Sequence, residues 1–286
     1  MGGWLLRHLA DAGDATVGPG PEVDVTDAAR LVTDVRAATP DVVYHLAALT
    51  HVGRSWSEPA ETFRVNAMGT LNVLEAAARC DVPPAVVLVS SSEVYGPVTD
   101  ARPLDELAPL RPVTPYAVSK VAADFLGLQA FLGRGLRVIR ARPFNHVGPG
   151  QADDFVVSAL ARRMIEAELR GSGSVQVGNL AASRDFTDVR DVVRAYRLLA
   201  LNGVAGEAYN VCSGRAVAIA SLAEEMAGLL SYDVRLVEDP ALFRPVEVPV
   251  LVGDASKLVA ATGWQPTIPL TATLSDVLDY WRERLA

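Results

Sequence analysis

The chain has 286 residues, 50% of them hydrophobic and 21% charged, which is enough apolar material for one or two globular domains. Its formal net charge of −8 disfavours non-specific binding to nucleic acid, since a polyanion would meet a repulsive mean field. Its apolar runs fall far short of the roughly 18 residues that a membrane span requires, so we expect no membrane association and a cytoplasmic protein. Cys80 and Cys212 lack metal-ligand spacing and a nearby His pair, which predicts neither a disulfide nor a metal site.

The first residues carry a helix pattern. Residues 4–12 predict a helix that Gly13 ends, and residues 15–17 predict a short strand. A phosphate-binding turn normally joins a strand to such a helix, but only Gly2 and Gly3 stand before this one. Taken alone, these two glycines fit flexible N-terminal residues equally well.

Between Asp41 and Cys212, short runs rich in Val, Ile and Leu alternate with longer helical patterns, which is typical of βα units around a buried parallel sheet. The predicted strands cover residues 42–46, 85–90, 136–141 and 208–211. The predicted helices between them are long enough to cross the sheet and cover residues 59–80, 115–132 and 189–201. This alternation predicts a doubly wound α/β fold.

After Gly148 the pattern changes. Residues 154–169 predict a helix and residues 175–177 predict an edge strand, with a Gly/Ser link between them. We expect these pieces and residues 216–286 to form a smaller second lobe.

Tyr116 and Lys120 stand four residues apart in a predicted helix, so their side chains lie on one helical face. An ammonium beside a phenol lowers the pKa of the tyrosine, which suits proton transfer at a carbonyl or carbinol oxygen. This spacing is common by itself, and a half-buried Tyr with a solvated Lys is the usual structural explanation.

Hydroxyls and a carboxylate end the strand predicted at residues 85–90, where ligands bind in open α/β sheets. Ser90, Ser91 and Ser92 can hydrogen-bond a reacting oxygen, and Glu93 can act as an acid or a base. A serine-rich turn that caps the next helix explains the same residues as well.

His45, Leu46, Ala47 and Ala48 end another predicted strand, and the small residues let a cofactor approach the backbone. Viewed alone, a core histidine with packing alanines is the simpler explanation. Together, in this order and at these intervals, the three segments resemble the extended short-chain dehydrogenase/reductase family of NAD(P)-dependent sugar-nucleotide epimerases, dehydratases and reductases. The resemblance covers essentially the whole chain and implies a Rossmann-like sheet with a smaller C-terminal substrate-binding lobe.

The resemblance implies a role for each matching residue. Ser91, Tyr116 and Lys120 match the family's catalytic triad, with Glu93 as a further acid or base. The positions that match cofactor contacts are Gly2, Asp24, Val25, Leu46, Ala47, Ala48, Asn66, Ser90, Tyr116, Lys120 and Pro143. An acidic residue after the predicted strand at 15–17 would bind the ribose 2′-hydroxyl of NAD, and an arginine would bind the 2′-phosphate of NADP. The sequence has neither there, so the implied cofactor is NADP or NAD.

Gly2 matches the third glycine of the family's motif, which implies a chain that starts inside the motif, without the first strand and the first two glycines. That strand is central in the family's sheet, and its turn cradles the pyrophosphate. We therefore expect the natural protein to start upstream of Met1, with a misplaced start codon as the cause.

The second lobe carries a long series of residues that is similar to the GDP-mannose branch of the family. The positions that match substrate contacts are Ser92, Asn145, Val177, Asn179, Arg184, Arg244 and Glu247. An acidic protein must meet a diphosphate with arginines, and Arg184 and Arg244 each offer a planar bidentate fork. The structural explanations are ion pairs of Arg184 with Asp185 and of Arg244 with Glu247.

Within that branch, the resemblance implies reduction of the 4-keto group of GDP-4-dehydro-6-deoxy-D-mannose to give GDP-D-rhamnose. The alternative is 4,6-dehydration of GDP-mannose, since Glu93 matches the dehydratase base. Gly150, Gln151 and Ala159 weigh against it, because dehydratases carry an Arg-Arg-Gly segment and a lysine there. A non-catalytic nucleotide-sensing regulator is a remote alternative, which full biological activity of a Tyr116→Phe variant would favour.

The implied mechanism delivers a hydride to C4 while Tyr116 protonates the oxygen, Ser91 orients it and Lys120 lowers the pKa of the tyrosine. Helices at residues 61–80 and 115–132 match those through which the family dimerises, which implies a homodimer. The implied domains are a dinucleotide-binding domain at residues 1–148, continued by about 184–213, and a sugar-nucleotide lobe at residues 149–183 and 214–286.

Overall fold

The computed structural model describes residues 1–18, 20, 23–97, 102–242 and 248–286. Its strands are Val42–His45 (β1), Ala85–Val89 (β2), Val138–Pro143 (β3), Asn145–Val147 (β4), Ser174–Val177 (β5), Ser183–Asp188 (β6), Ala208–Val211 (β7), Ala216–Ala218 (β8), Arg235–Glu238 (β9) and Val250–Leu251 (β10). Its α-helices are Gly2–Asp11 (α1), Ala28–Ala38 (α2), Pro59–Phe63 (α3), Gly69–Ala78 (α4), Pro115–Arg134 (α5), Val156–Arg170 (α6), Val189–Asn202 (α7), Ile219–Gly228 (α8), Ser256–Thr262 (α9) and Leu270–Leu285 (α10). Within the described ranges, no helix is both long and apolar enough to cross a membrane.

Four parallel strands in the order β1-β2-β3-β7 form the main sheet. Helices cover both faces of this sheet, so successive residues of a strand enter different cores. On β2, Val87 packs with residues of α1 and α7, whereas Val86 and Leu88 pack with residues of α4 and α5. This arrangement confirms the predicted doubly wound α/β fold and brings the carboxyl ends of the strands to one edge of the sheet.

The remaining strands and helices α6, α8 and α10 form the smaller lobe. Its three-stranded parallel sheet has the order β10-β6-β4, β8 adds to β6 in the antiparallel direction, and β5 pairs with β9. The core of the lobe contains buried side chains of α6, α8 and α10, among them Leu160, Met164, Leu222, Met226 and Leu278. The smaller lobe was expected, whereas its division from the first domain at residue 148 stays a prediction.

Three predicted elements differ from the structure. Residues 15–17 were predicted as a strand, but they are exposed and pair with no strand among the described residues. The helix predicted at 59–80 is interrupted by a π-helical segment, Arg64–Met68, which a hydrophobic pattern does not reveal. The strand predicted at 136–141 ends instead at Pro143, because β3 continues to pair with β7. Whether a strand precedes α1 stays a prediction.

Candidate active site

Ser91 follows β2 and is fixed by the turn that comes after it. Its side chain caps a short 3-10 helix, Ser92–Tyr95, and its Oγ accepts a hydrogen bond from the Glu93 N–H at 3.2 Å. The turn closes at Gly96, where φ is +64° and an added Cβ would lie 1.8 Å from the Arg111 carbonyl oxygen. The turn that presents the Ser91 hydroxyl therefore requires glycine at position 96.

Tyr116 and Lys120 reach the same region from α5. The Thr114 Oγ1 accepts a hydrogen bond from the Ala117 N–H at 3.0 Å, and Pro115 occupies the first helical turn, so the start of α5 is well defined. A defined start fixes which face the helix presents, and both side chains lie on that face. Tyr116 is 7% exposed and Lys120 is 5% exposed.

Burial raises the pKa of Tyr116 to about 12, a hydrogen bond with Ser91 lowers it, and the Glu93 carboxylate raises it. The phenol is therefore protonated at neutral pH and can act as an acid. Burial dominates the pKa of Tyr116, and the Lys120 Nζ donates a hydrogen bond to the Val89 carbonyl at 2.5 Å. The expected lowering of the Tyr116 pKa by Lys120 stays a prediction.

Burial lowers the pKa of Lys120 to about 8, while Asp124, one turn further along α5, raises it. Asp124 is fully buried and forms ion pairs with Arg140 and Arg142. The Ser90 hydroxyl donates a hydrogen bond to the Lys120 carbonyl at 3.4 Å, which links the end of β2 to α5. The ammonium is thus held in place and is mainly protonated at neutral pH.

A cleft of about 320 Å³ lies at the carboxyl ends of the strands of the main sheet. Ser91, Tyr116, Lys120 and the half-buried Glu93 line it together. The other predicted site residues that line it are Leu46, Ala48, Ser90, Ser92, Pro143 and Asn145. A larger cavity of about 610 Å³ lies beside α2 at the opposite ends of the strands, but none of the predicted site residues line that cavity. We therefore place the candidate active site in the smaller cleft.

Asn66 is buried in the π-helical segment and does not line the cleft. Its side-chain amide accepts a hydrogen bond from the Leu49 N–H at 2.7 Å and donates to the Leu49 carbonyl at 3.0 Å and to the Ser119 Oγ at 2.9 Å. Asn66 therefore fixes the loop after β1 against α5, next to Lys120. Its predicted contact with a cofactor stays a prediction.

Four further predicted cofactor residues lie outside the cleft lining: Gly2, Asp24, Val25 and Ala47. Gly2 is exposed, and an added Cβ would meet no atom within 4 Å, so the described residues impose no need for glycine there. Asp24 and Ala47 are also exposed, and Asp24 accepts a hydrogen bond from the backbone of Thr26. Their roles stay predictions.

The predicted substrate residues are spread more widely than the catalytic ones. Asn145 lines the cleft, Val177 is buried in the core of the smaller lobe, and Asn179 and Arg184 are partly buried outside the cleft lining. Arg184 lies on β6 and donates a hydrogen bond to the Ser183 carbonyl at 2.9 Å. Arg244 and Glu247 lie outside the described residues.

Among the cleft residues that the sequence analysis does not predict as site residues are Tyr196 and His146. Tyr196 belongs to a stripe of α7 with Val192, Val193 and Leu199, a spacing that predicts an ordinary core residue. The sequence feature that could have identified Tyr196 as a site residue is its hydroxyl, which is the polar atom on an otherwise apolar helical stripe. Burial lowers the pKa of His146 to about 4, so this ring is neutral at physiological pH.

The cleft fits a nicotinamide dinucleotide in two respects. Met1 and Trp4 bring the N-terminus of α1 to the cleft, and this end has neither a side-chain cap nor an acidic residue in its first turn. Its N–H groups therefore suit a phosphate. The Tyr196 hydroxyl is buried and has no hydrogen-bond partner among the described residues, which suits a polar group of a bound ligand. The start of α1, Lys120 and Tyr196 would hold the dinucleotide.

Comparisons with known proteins agree with this architecture. A family model described as GDP-mannose 4,6 dehydratase matches residues 21–277. GDP-6-deoxy-D-mannose reductase of Pseudomonas aeruginosa is 40% identical over 255 residues, which cover 88% of this chain and 84% of that protein. GDP-mannose 4,6 dehydratase 2 of Arabidopsis thaliana is 31% identical over 262 residues, which cover 90% of this chain and 69% of that protein. The structure of RMD from Pseudomonas aeruginosa complexed with NADPH matches with a TM-score of 0.92 and 38% identity, over 99% of this chain and 95% of that one.

Proposed function

We propose that this chain, which belongs to the GDP-mannose 4,6-dehydratase family, is a reductase within that family. It reduces the 4-keto group of GDP-4-dehydro-6-deoxy-D-mannose with NADPH or NADH to give GDP-D-rhamnose. The observation that carries the proposal is that the buried side chains of Ser91, Tyr116 and Lys120 line one cleft at the carboxyl ends of the strands. The similarity to a GDP-6-deoxy-D-mannose reductase supports the substrate, and the similarity to an NADPH complex supports the cofactor.

The residues of the cleft divide the chemistry between them. When bound, the reduced nicotinamide supplies the hydride that C4 of the sugar receives. Tyr116 supplies the proton, since its raised pKa keeps the phenol protonated until the oxygen on C4 becomes basic. Ser91, which lines the same cleft, orients that oxygen. Lys120 is a nearby cation that stabilises the phenolate left by proton transfer and holds the ribose.

The remaining predicted contacts belong to the same proposal. Arg184 and Arg244 bind the diphosphate with planar forks, and Asn145 and Glu247 bind sugar, ribose or guanine groups. Ser92, Val177 and Asn179 complete the substrate contacts. The cofactor is contacted by Gly2, Asp24, Val25, Leu46, Ala47, Ala48, Asn66, Ser90 and Pro143.

A second candidate function is dehydration of GDP-mannose, which the position of Glu93 in the cleft favours. Gly150 and Gln151 also line the cleft, and neither carries a charge. The Gln151 side chain donates a hydrogen bond to the His146 carbonyl at 3.0 Å, so it is engaged with its own loop. These uncharged residues stand where the family resemblance implies arginines in a dehydratase, and this favours the reductase.

Two incubations test the proposal. We expect the protein to oxidise NADPH with GDP-4-dehydro-6-deoxy-D-mannose and to yield a sugar nucleotide that is two hydrogens heavier by mass spectrometry. GDP-mannose with NADP⁺ should give no product. Loss of water from GDP-mannose without net cofactor change would instead identify a dehydratase, and no reaction in either incubation would refute both functions. Tyr280→Phe on α10, outside the cleft lining, is the control for Tyr116→Phe.

The same proposal includes a homodimer formed by α3, α4 and α5. These helices and the π-helical segment between them expose large apolar side chains to solvent: Phe63, Met68, Val118, Phe125 and Leu132. Exposed apolar groups of this kind are typical of a protein interface. We expect Phe125→Asp with Leu132→Asp to halve the mass measured by light scattering, while Leu169→Asp, an exposed position of α6, leaves it unchanged. An unchanged mass for the double variant would exclude this interface.

The cellular location and the domain division complete the proposal. A cytoplasmic location agrees with two free cysteines, one of them fully buried. The dinucleotide-binding domain comprises residues 1–148 with about 184–213, and the sugar-nucleotide lobe comprises residues 149–183 and 214–286.

A further inference from the structure

The Tyr196 hydroxyl is a buried polar group without a visible function in the fold. The residue is 0% exposed, and its hydroxyl has no hydrogen-bond partner among the described residues. Native proteins pair nearly all such groups, because a buried hydroxyl without a partner costs free energy. Two other buried atoms share this condition, Arg140 Nε and Thr187 Oγ1, but neither residue lines the catalytic cleft, whereas Tyr196 does.

The position of Tyr196 relates its hydroxyl to the reacting centre. Tyr196 lines the same cleft as Tyr116 and Lys120. Burial raises the pKa of Tyr196, and the charge of an ionised Tyr116 raises it further, so the two phenols are within electrostatic reach of each other. Tyr196 is therefore a lining residue of the catalytic cleft whose hydroxyl lies near the Tyr116 phenol.

The surroundings of Tyr196 limit the kind of ligand group that it can meet. The residue belongs to the apolar cluster between α1, α7 and the main sheet, which includes Leu5, Val87 and Ile139. A sugar or a diphosphate is too polar for such a wall. A nicotinamide ring is flat and largely apolar, and its carboxamide is a single polar substituent that both donates and accepts hydrogen bonds.

We propose that the Tyr196 hydroxyl forms a hydrogen bond with the carboxamide of the bound nicotinamide and so positions the ring against Tyr116. The inference rests on the proposed reductase function, since it needs a nicotinamide cofactor in this cleft. It assigns α7 a direct part in cofactor binding in addition to its packing against the sheet.

A Tyr196→Phe variant tests the contact through binding and stability. We expect its dissociation constant for NADPH, measured by fluorescence titration, to rise about fivefold, the size of one neutral hydrogen bond. Without NADPH, its melting temperature should be equal to that of the wild type or higher, because the substitution removes an unpartnered buried hydroxyl. The increase in melting temperature on adding NADPH should be smaller than in the wild type.

Tyr209→Phe is the matched control, since Tyr209 is a buried tyrosine of the same apolar cluster and lies outside the cleft lining. Its hydroxyl accepts a hydrogen bond from the Val204 N–H at 3.0 Å. We expect this variant to melt at a lower temperature without NADPH and to bind NADPH as tightly as the wild type does.

A ligand without the ring locates the contact. 2′-Phospho-ADP-ribose lacks the nicotinamide, so the wild type and Tyr196→Phe should bind it equally well. Equal loss of affinity for this ligand and for NADPH would overturn the inference, and so would a Tyr196→Phe variant that is less stable alone but binds NADPH normally. Failure of the wild type to bind NADPH would instead refute the proposed reductase function.

Discussion

The catalytic residues and the predicted diphosphate-binding residues are built in different ways. Ser91, Tyr116 and Lys120 are each 7% exposed or less and lie at the end of β2 or in the first turns of α5, and hydrogen bonds fix Ser91 and Lys120. Asn179 and Arg184 are only partly buried, and Arg184 lies on β6, outside the main sheet. Proton transfer needs atoms held at fixed distances, whereas attraction of a diphosphate tolerates longer and wetter contacts. We therefore expect losses of turnover at the first group and losses of affinity at the second.

The largest effect is expected for Tyr116→Phe, which removes the proton donor and little volume. Its kcat/KM should fall by about 10²- to 10⁴-fold, the range for loss of a general acid. The dissociation constant for NADPH, measured in parallel, should change much less than kcat. Near-full turnover of the variant would exclude Tyr116 as the proton donor. It would also contradict the expected difference between the catalytic and the diphosphate-binding residues.

Ser91→Ala should have the next largest effect, because the hydroxyl bonds the phenol and caps the turn after β2. We expect kcat to fall by about 10- to 100-fold, corresponding to one lost hydrogen bond in a buried site. Ser91→Thr keeps the hydroxyl and should recover part of the rate. If Ser91→Ala raised KM and left kcat unchanged, the serine would belong to the binding residues.

The pH dependence should separate Lys120 from Tyr116. Lys120 has a pKa lowered to about 8, so its ammonium is lost as the pH rises through that value, whereas Tyr116, with a pKa of about 12, keeps its proton. The kcat/KM should therefore decline about tenfold per pH unit above this point. In Lys120→Arg the decline should move to higher pH, because a guanidinium stays protonated. An unshifted decline would exclude Lys120 as its cause.

The smallest effect is expected at the diphosphate side. Arg184→Lys keeps the charge and loses the planar fork, so KM for the sugar nucleotide should rise about fivefold with kcat nearly unchanged. Arg170→Lys, at the exposed end of α6, is the control and should change neither constant. A selective loss of kcat in Arg184→Lys would contradict the expected division between catalytic residues that set turnover and diphosphate-binding residues that set affinity.

The parts of the fold that the sequence predicts well are those in which a local pattern and the tertiary structure agree. β2 is uniformly apolar and β7 is buried throughout because helices cover both sides of the sheet, and their predicted positions agree with the structure. Residues 15–17 have a similar short apolar pattern, but a strand exists only where another strand pairs with it, and pairing is not visible in one segment. The π-helical turn around Asn66 depends on contacts with Leu49 and Ser119, which are distant in the chain.

The candidate site shows the same limit. Ser91, Tyr116 and Lys120 were predictable because each is an unusual polar residue at the end of a strand or at a fixed helical spacing. Tyr196 was not, since an aromatic residue on an apolar helical stripe is ordinarily core. Only the tertiary structure shows that Tyr196 lines the cleft and that its hydroxyl has no partner among the described residues.

Gly96 bears no functional group, yet its geometry limits which substitutions this chain tolerates. A side chain there would displace the Arg111 carbonyl, and the Arg111 N–H is bonded to the Val94 carbonyl at 3.0 Å, inside the turn that presents Ser91. A residue with a side chain at position 96 would therefore disturb the turn that holds the catalytic serine. Substitutions elsewhere in the cleft lining can change which ligand binds without altering this turn, whereas any variant that keeps the turn must keep glycine at residue 96.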